Sequence, residues 1–138
     1  MNIEINRPFS ILKEALLPTN SFIGSEIYNG VDVEYTCIEC SKKSIVRVDF
    51  ISKYDILDSL FKGQNFIAKE NLIKNGLALS SKKFQAHLGD FVVSNLPANY
   101  LGFKCPNCNV KYIIVFGIGE SQPGKNECCV SGIWSIDI

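Results

Sequence analysis

Polar and apolar residues alternate with period two at both ends of the chain's first chemical motif. Val31, Val33 and Tyr35 alternate with Asp32, Glu34 and Thr36, and Val46, Val48 and Phe50 alternate with Arg47 and Asp49. Such alternation predicts two half-buried strands, antiparallel if the segment between them reverses the chain. Further on, Tyr112-Ile113-Ile114-Val115-Phe116 is apolar on both faces and predicts a central strand, with residues 100–104 as its hairpin partner. After a Pro123-Gly124 turn, Cys128, Val130, Trp134 and Ile136 are expected on one face of a closing strand. Cys129, Ser131, Ser135 and Asp137 are expected on the other.

Between these regions the period changes to about 3.6, which predicts helices in an insertion at about 52–97. Ser52 is a candidate N-cap with Asp55 three residues on; Tyr54, Leu57, Leu60 and Phe61 share a face, and Gly63 suits the left-handed C′ position. A second helix is expected after Asn65, ending at Gly76. A third, capped by Ser81, would carry Phe84, Leu88, Phe91 and Val92 on one face and end before Pro97. Residues 10–17 predict a short amphipathic helix closed by Pro18.

Each predicted hairpin is tipped by a C-x-x-C pair: Cys37-Ile38-Glu39-Cys40 and Cys105-Pro106-Asn107-Cys108. Two residues between paired cysteines let one tight turn present both sulfurs to one ion, and four thiolates satisfy tetrahedral Zn²⁺. The competing readings are four unrelated buried thiols, which equal spacings at two predicted turns disfavour, and a redox dithiol, which belongs at a strand-to-helix junction of a βαβ unit. Four protein thiolates also leave no open position for catalysis, so the expected zinc is structural.

The two knuckles and their flanking strands resemble the zinc-ribbon family. The resemblance implies a zinc site at Cys37, Cys40, Cys105 and Cys108 and a function anywhere from nucleic-acid binding to a structural clip. The chain departs from that pattern in the 64 residues between Cys40 and Cys105 and in Asn109, where many ribbons carry Gly after the last cysteine. Asn tolerates the left-handed conformation well. Residues 117–134 are also similar to small bacterial proteins, a likeness that carries no activity with it. The expected fold is one α+β domain over 1–138: an antiparallel sheet carrying a split zinc ribbon, with three or four short helices packed on one face.

Composition narrows the function. Lys+Arg and Asp+Glu are equal at 14 each, so no global positive field drives nucleic-acid or membrane-surface binding. Six cysteines without a secretory signal at the N-terminus predict the reducing cytoplasm, and no apolar run is long enough for a membrane span. Phosphate-loop, nucleophile-elbow and H-E-x-x-H motifs are lacking. Cys128 and Cys129 read as one core and one surface thiol, His87 as a partly exposed helix residue, and Glu120 as a solvated hairpin acid. The expectation is a non-enzymatic, zinc-stabilised protein-binding module, specifically an immunity protein that neutralises a toxin. The alternative is a zinc-ribbon nucleic-acid binder using Lys42, Lys43 and Arg47; Lys82-Lys83 reads as a solubilising pair.

Overall fold

Strand formation dominates the chain, which is 50% strand and 13% helical. The computed structural model describes residues 2–24, 29–51, 54–123 and 125–138. Five strands precede the insertion: β1 (Asn2–Ile3), β2 (Ser10–Glu14), β3 (Ser21–Gly24), β4 (Gly30–Thr36) and β5 (Lys43–Asp49). The insertion contributes β6 (Asp55–Ile56), a 3-10 turn at Leu57–Leu60, α1 (Lys69–Lys74), β7 (Leu79–Ser80), a 3-10 segment at Lys83–Leu88 and β8 (Phe91–Val93). Three long strands close the chain: β9 (Leu96–Lys104), β10 (Lys111–Gln122) and β11 (Lys125–Asp137).

The long strands form the middle of a curled, antiparallel sheet in the order β2-β11-β10-β9-β8-β7. The short strands β1 and β6 add to β9, and β3 adds to β11. As expected from its apolar run, β10 is central: residues 112–116 are fully buried, between β9 on one side and β11 on the other. Its odd and even side chains enter two separate cores. Ile113 and Val115 pack with Leu57, Leu60, Leu72, Leu77 and Phe91 of the insertion. Tyr112, Ile114 and Phe116 pack with Val31, Val33, Tyr35, Val46 and Val48. The hairpin β4–β5 supplies that second layer as a separate two-stranded sheet, antiparallel and with Val31, Val33, Tyr35, Val46 and Val48 inward as their alternation predicts.

The expectation of an α+β fold with three or four short helices is overturned. Among the described residues the helical content is one six-residue α-helix and two 3-10 segments. The first predicted helix is only the 3-10 turn that buries Leu57 and Leu60; its proposed cap, Ser52, lies outside the described residues. Asp58 holds that turn in place, because its buried carboxylate accepts the Asp90 N–H at 3.0 Å and pairs with Lys62 at 3.1 Å. The second helix forms as α1, with Gly76 left-handed just beyond it at φ +78°.

The third is a short 3-10 segment followed by strand β8. Ser94 and Asn95, at φ 50° and 64°, make the two-residue turn that folds β8 back onto β9, pairing Val93 with Leu96. Gly117 permits this hairpin to lie close to β10, since a Cβ there would stand 2.7 Å from the Val93 carbonyl oxygen. Residues 10–14 are likewise strand, not helix. They pair with the end of β11, with Ser135 Oγ accepting the Lys13 N–H at 3.1 Å.

A bulge changes the expected faces of β11. Val115 pairs with Gly132 but Phe116 with Val130, so Ser131 is the extra residue, and its hydroxyl donates to the Gly76 carbonyl at 3.0 Å. Alternation reverses there. Cys128, Val130 and Ile133 enter the core under the hairpin, whereas Cys129, Trp134 and Ile136 enter the opposite one. Both cysteines are therefore buried, at 0% and 9% exposure, and the expected surface thiol at Cys129 is overturned.

Truncating Ile114 to Ala, at the centre of the sheet, should cost about 2–5 kcal/mol in urea unfolding. Phe84→Ala, on an exposed face of the second 3-10 segment, should stay within about 0.5 kcal/mol of the parent.

Candidate metal centre

The two C-x-x-C turns adopt one backbone pattern. In the turn between β4 and β5, the Cys37 N–H donates to the Lys42 carbonyl at 3.0 Å and the Ser41 N–H to the Cys37 carbonyl at 3.0 Å. Between β9 and β10, the Cys105 N–H donates to the Val110 carbonyl at 2.9 Å and the Asn109 N–H to the Cys105 carbonyl at 3.0 Å. The residue after each second cysteine is left-handed: Ser41 at φ 61° and Asn109 at φ 63°. Asn109 thus takes the conformation expected of it, and Ser41 is its counterpart.

The fold brings all four predicted ligands together. The Sγ atoms of Cys37, Cys40, Cys105 and Cys108 lie within 4.8 Å of one another. Across the knuckles, Cys37 and Cys108 sulfurs are 3.4 Å apart and Cys40 and Cys105 sulfurs 3.8 Å apart. Four thiolates around an ion at about 2.3 Å define a tetrahedron with edges of about 3.8 Å, so the cluster has the dimensions of a four-sulfur metal site. None of the six cysteines is in a disulfide. The first cysteine of each knuckle is buried and the second half-buried, which sets the cluster at the rim of the core.

Three stacked or edge-on rings lie beneath the sulfurs. Phe103 and Tyr112 stack at 5.4 Å between centroids, and Tyr35 meets them edge-on at 5.4 and 5.5 Å. The Tyr112 hydroxyl donates to Cys37 Sγ at 3.1 Å and accepts the Ile38 N–H at 2.9 Å. Tyr35 Oη is the one buried side-chain polar atom without a hydrogen-bond partner among the described residues, and it faces Ser44 and Cys105. A metal-bound thiolate at Cys105 carries the negative charge that such a phenol can donate to, so the surroundings as well as the sulfurs fit a metal ion.

Protonation follows the same geometry. Burial opposes ionisation of Cys37, but the Cys40 N–H, the Tyr112 hydroxyl and the Cys108 thiol all donate to it and bring it down to about 6. The Val110 N–H favours the Cys108 thiolate, yet burial and the neighbouring thiols push Cys108 up to about 12. Burial, with Cys105 and Cys37 nearby, raises Tyr35 to about 12 despite the Ser44 hydroxyl; burial and then Cys37 raise Tyr112.

Other candidates from the sequence do not join this cluster. Burial pushes Cys128 up to about 12, and burial together with Glu127, whose carboxylate accepts the Cys129 thiol at 3.4 Å, raises Cys129. Neither is poised as a nucleophile. His87 is exposed in the second 3-10 segment, and Glu120, Lys42, Lys43, Lys82 and Lys83 are exposed. Arg47 pairs with Asp32 at 3.3 Å on the outer face of the hairpin. Sequence reasoning assigned Tyr35 and Tyr112 to strands alone; the available sign was an aromatic residue two positions before the first knuckle and four after the second. Comparison with known proteins finds no family model, no curated protein and no solved structure that matches the chain. No helix among the described residues is long and apolar enough to cross a membrane.

Tyr112→Phe keeps the ring and removes the donor to Cys37, so metal affinity in a competitive chelator titration should fall about 10–100-fold with little loss of fold. Acidification should weaken binding further, because the ion must displace protons from the thiols: about tenfold per pH unit for each proton released.

Proposed function

We propose that the cysteine cluster is a structural zinc centre and that the protein is a non-enzymatic protein-binding module organised around it. One observation carries the zinc reading: two equivalent knuckles, on sheets that share no ladder among the described residues, direct four sulfurs to a volume of tetrahedral size. Thiolate donors select a soft or borderline ion, and zinc is the one that uses four of them purely for structure. A complete protein ligand set leaves no place for water or substrate, which supports a structural role over a catalytic one. The remaining thiols are buried and raised in pKa, which supports the same conclusion.

The protein-binding half rests on surface character. The chain is neutral overall, and its large exposed apolar side chains include Leu12, Leu16, Ile51 and Phe84. A toxin neutralised by stoichiometric binding is the partner class proposed from the sequence.

Elemental analysis of protein purified without added metal should find about one zinc per chain. Cobalt substitution should give the visible spectrum of a tetrahedral thiolate site, and any Cys→Ser change at the four ligands should abolish it. Iron in place of zinc, or retention of stoichiometric metal after two such substitutions, would overturn the centre. A one-to-one protein complex that survives nuclease treatment is expected; recovery of nucleic acid alone would refute the protein-binding reading.

A further inference from the structure

The hairpin that carries the first knuckle is tied at one point along the outer edge of β4 and, among the described residues, at none along that of β5. Thr36 of β4 bridges to Leu16, its N–H donating to the Leu16 carbonyl at 3.1 Å. No strand pairs with the outer edge of β5 among the described residues. The phase of the hairpin is fixed by two bonds, Cys37 N–H to Lys42 and Phe50 N–H to Asn29. In an antiparallel ladder the inward bonds then fall at Ser44, Val46 and Val48. The N–H and C=O groups of Lys43, Ile45, Arg47 and Asp49 therefore point away from β4. Their side chains share the outer face, where Lys43 is exposed, Ile45 is 59% exposed and Asp49 is half-buried.

We propose that a second copy of this chain pairs with that edge, joining two β5 strands antiparallel about a two-fold axis at Val46. Outward-pointing groups must meet outward-pointing groups, so the two-fold axis falls on a residue, and centring on Val46 is the one choice that pairs all four outward residues of β5. Centring on Ile45 sets Lys43 against Arg47 of the second copy, a like-charge pair repeated twice. Centring on Arg47 sets the two arginines against each other. Centring on Val46 sets Lys43 opposite Asp49 at both ends and Ile45 opposite the stem of Arg47 at both middle positions. Overlap and charge together favour the Val46 register, and the pairing is self-complementary as a two-fold interface requires. It would extend two hairpins into one four-stranded sheet and cover more of Ile45, which is 59% exposed in one chain. Charged residues on an edge strand usually deter pairing. Here their order, positive, apolar, positive, negative, deters the Ile45 and Arg47 registers and places opposite charges at both ends of the Val46 one.

The test is sedimentation velocity on the full metal-loaded chain over a concentration series. The parent is expected to show a monomer–dimer equilibrium. Lys43→Glu and Asp49→Lys each place like charges at both ends of the pairing and should raise the dimer dissociation constant about tenfold or more. An equimolar mixture of the two variants restores opposite charges at both ends and should regain the parent's affinity. Asp49 also accepts the Ile51 N–H at 2.9 Å, so a second variant guards against local damage. Ile45→Pro removes an outward N–H that the hairpin does not use and should leave a metal-loaded monomer. A parent that is monomeric throughout, a dimer indifferent to these substitutions, or a mixture that stays monomeric overturns the proposal. Metal content measured on the same samples separates this result from failure of the zinc reading.

Discussion

The position of the β4–β5 hairpin over the central sheet depends on the four-sulfur junction. Among the described residues the hairpin shares no ladder with that sheet, and its one backbone-to-backbone link outside itself is the bridge from Thr36 to Leu16. Apolar contact through Val31, Val33, Val46 and Val48 supplies attraction, at roughly 1.5–3 kcal/mol per buried side chain, but that attraction is non-directional. Coordination is directional. A tetrahedral ion at the turn ends would fix the angle and register at which one layer meets the other. It would also close the long segment between the knuckles, whose loop entropy grows only slowly with length, so a separation of 64 residues is compatible with a stable clip.

The tyrosines beneath the sulfurs show how the junction and the core depend on each other. A phenol buried without a partner costs about 1–3 kcal/mol, and Tyr35 Oη is such a group as judged from the protein alone. Its neighbour across the knuckles is Cys105, as the neighbour of Tyr112 is Cys37. One hydroxyl thus faces the leading sulfur of each knuckle. An ion that keeps both sulfurs anionic turns two buried phenols from a cost into donors to charge, while their rings fill the space between hairpin and sheet.

Elements defined by short-range pattern were legible in the sequence. The alternation at 31–36 and 46–50 gave the correct strands and inward faces, the apolar run at 112–116 gave the central strand, and equal C-x-x-C spacings gave the sulfur cluster. The segments at 10–17 and 81–97 misled because three or four apolar residues at helical spacing also fit short strands and 3-10 turns. What decided between them was distant: residues 10–14 pair with the end of β11, and Asp58 holds the bend at Gly89 and Asp90. The one-residue bulge at Ser131 is equally silent locally, yet it moved Trp134 and Ile136 to the opposite core from Cys128.

The knuckle also determines what the hairpin offers to its surroundings. Ser41 and Asn109 both accept a left-handed conformation that costs an ordinary residue roughly 1–2 kcal/mol, and Ser lacks the usual exemption of Gly. That cost is tolerated where the turn is required by its sulfurs. The same turn sets the Cys37–Lys42 bond, and from that bond the phase of β5 follows residue by residue. A slip of one residue would bury Lys43, Ile45 and Arg47 and expose Val46 and Val48. The geometry that presents two sulfurs inward therefore also fixes which backbone groups and which charges face outward along β5, so the sulfur cluster and the outer edge are two consequences of one turn.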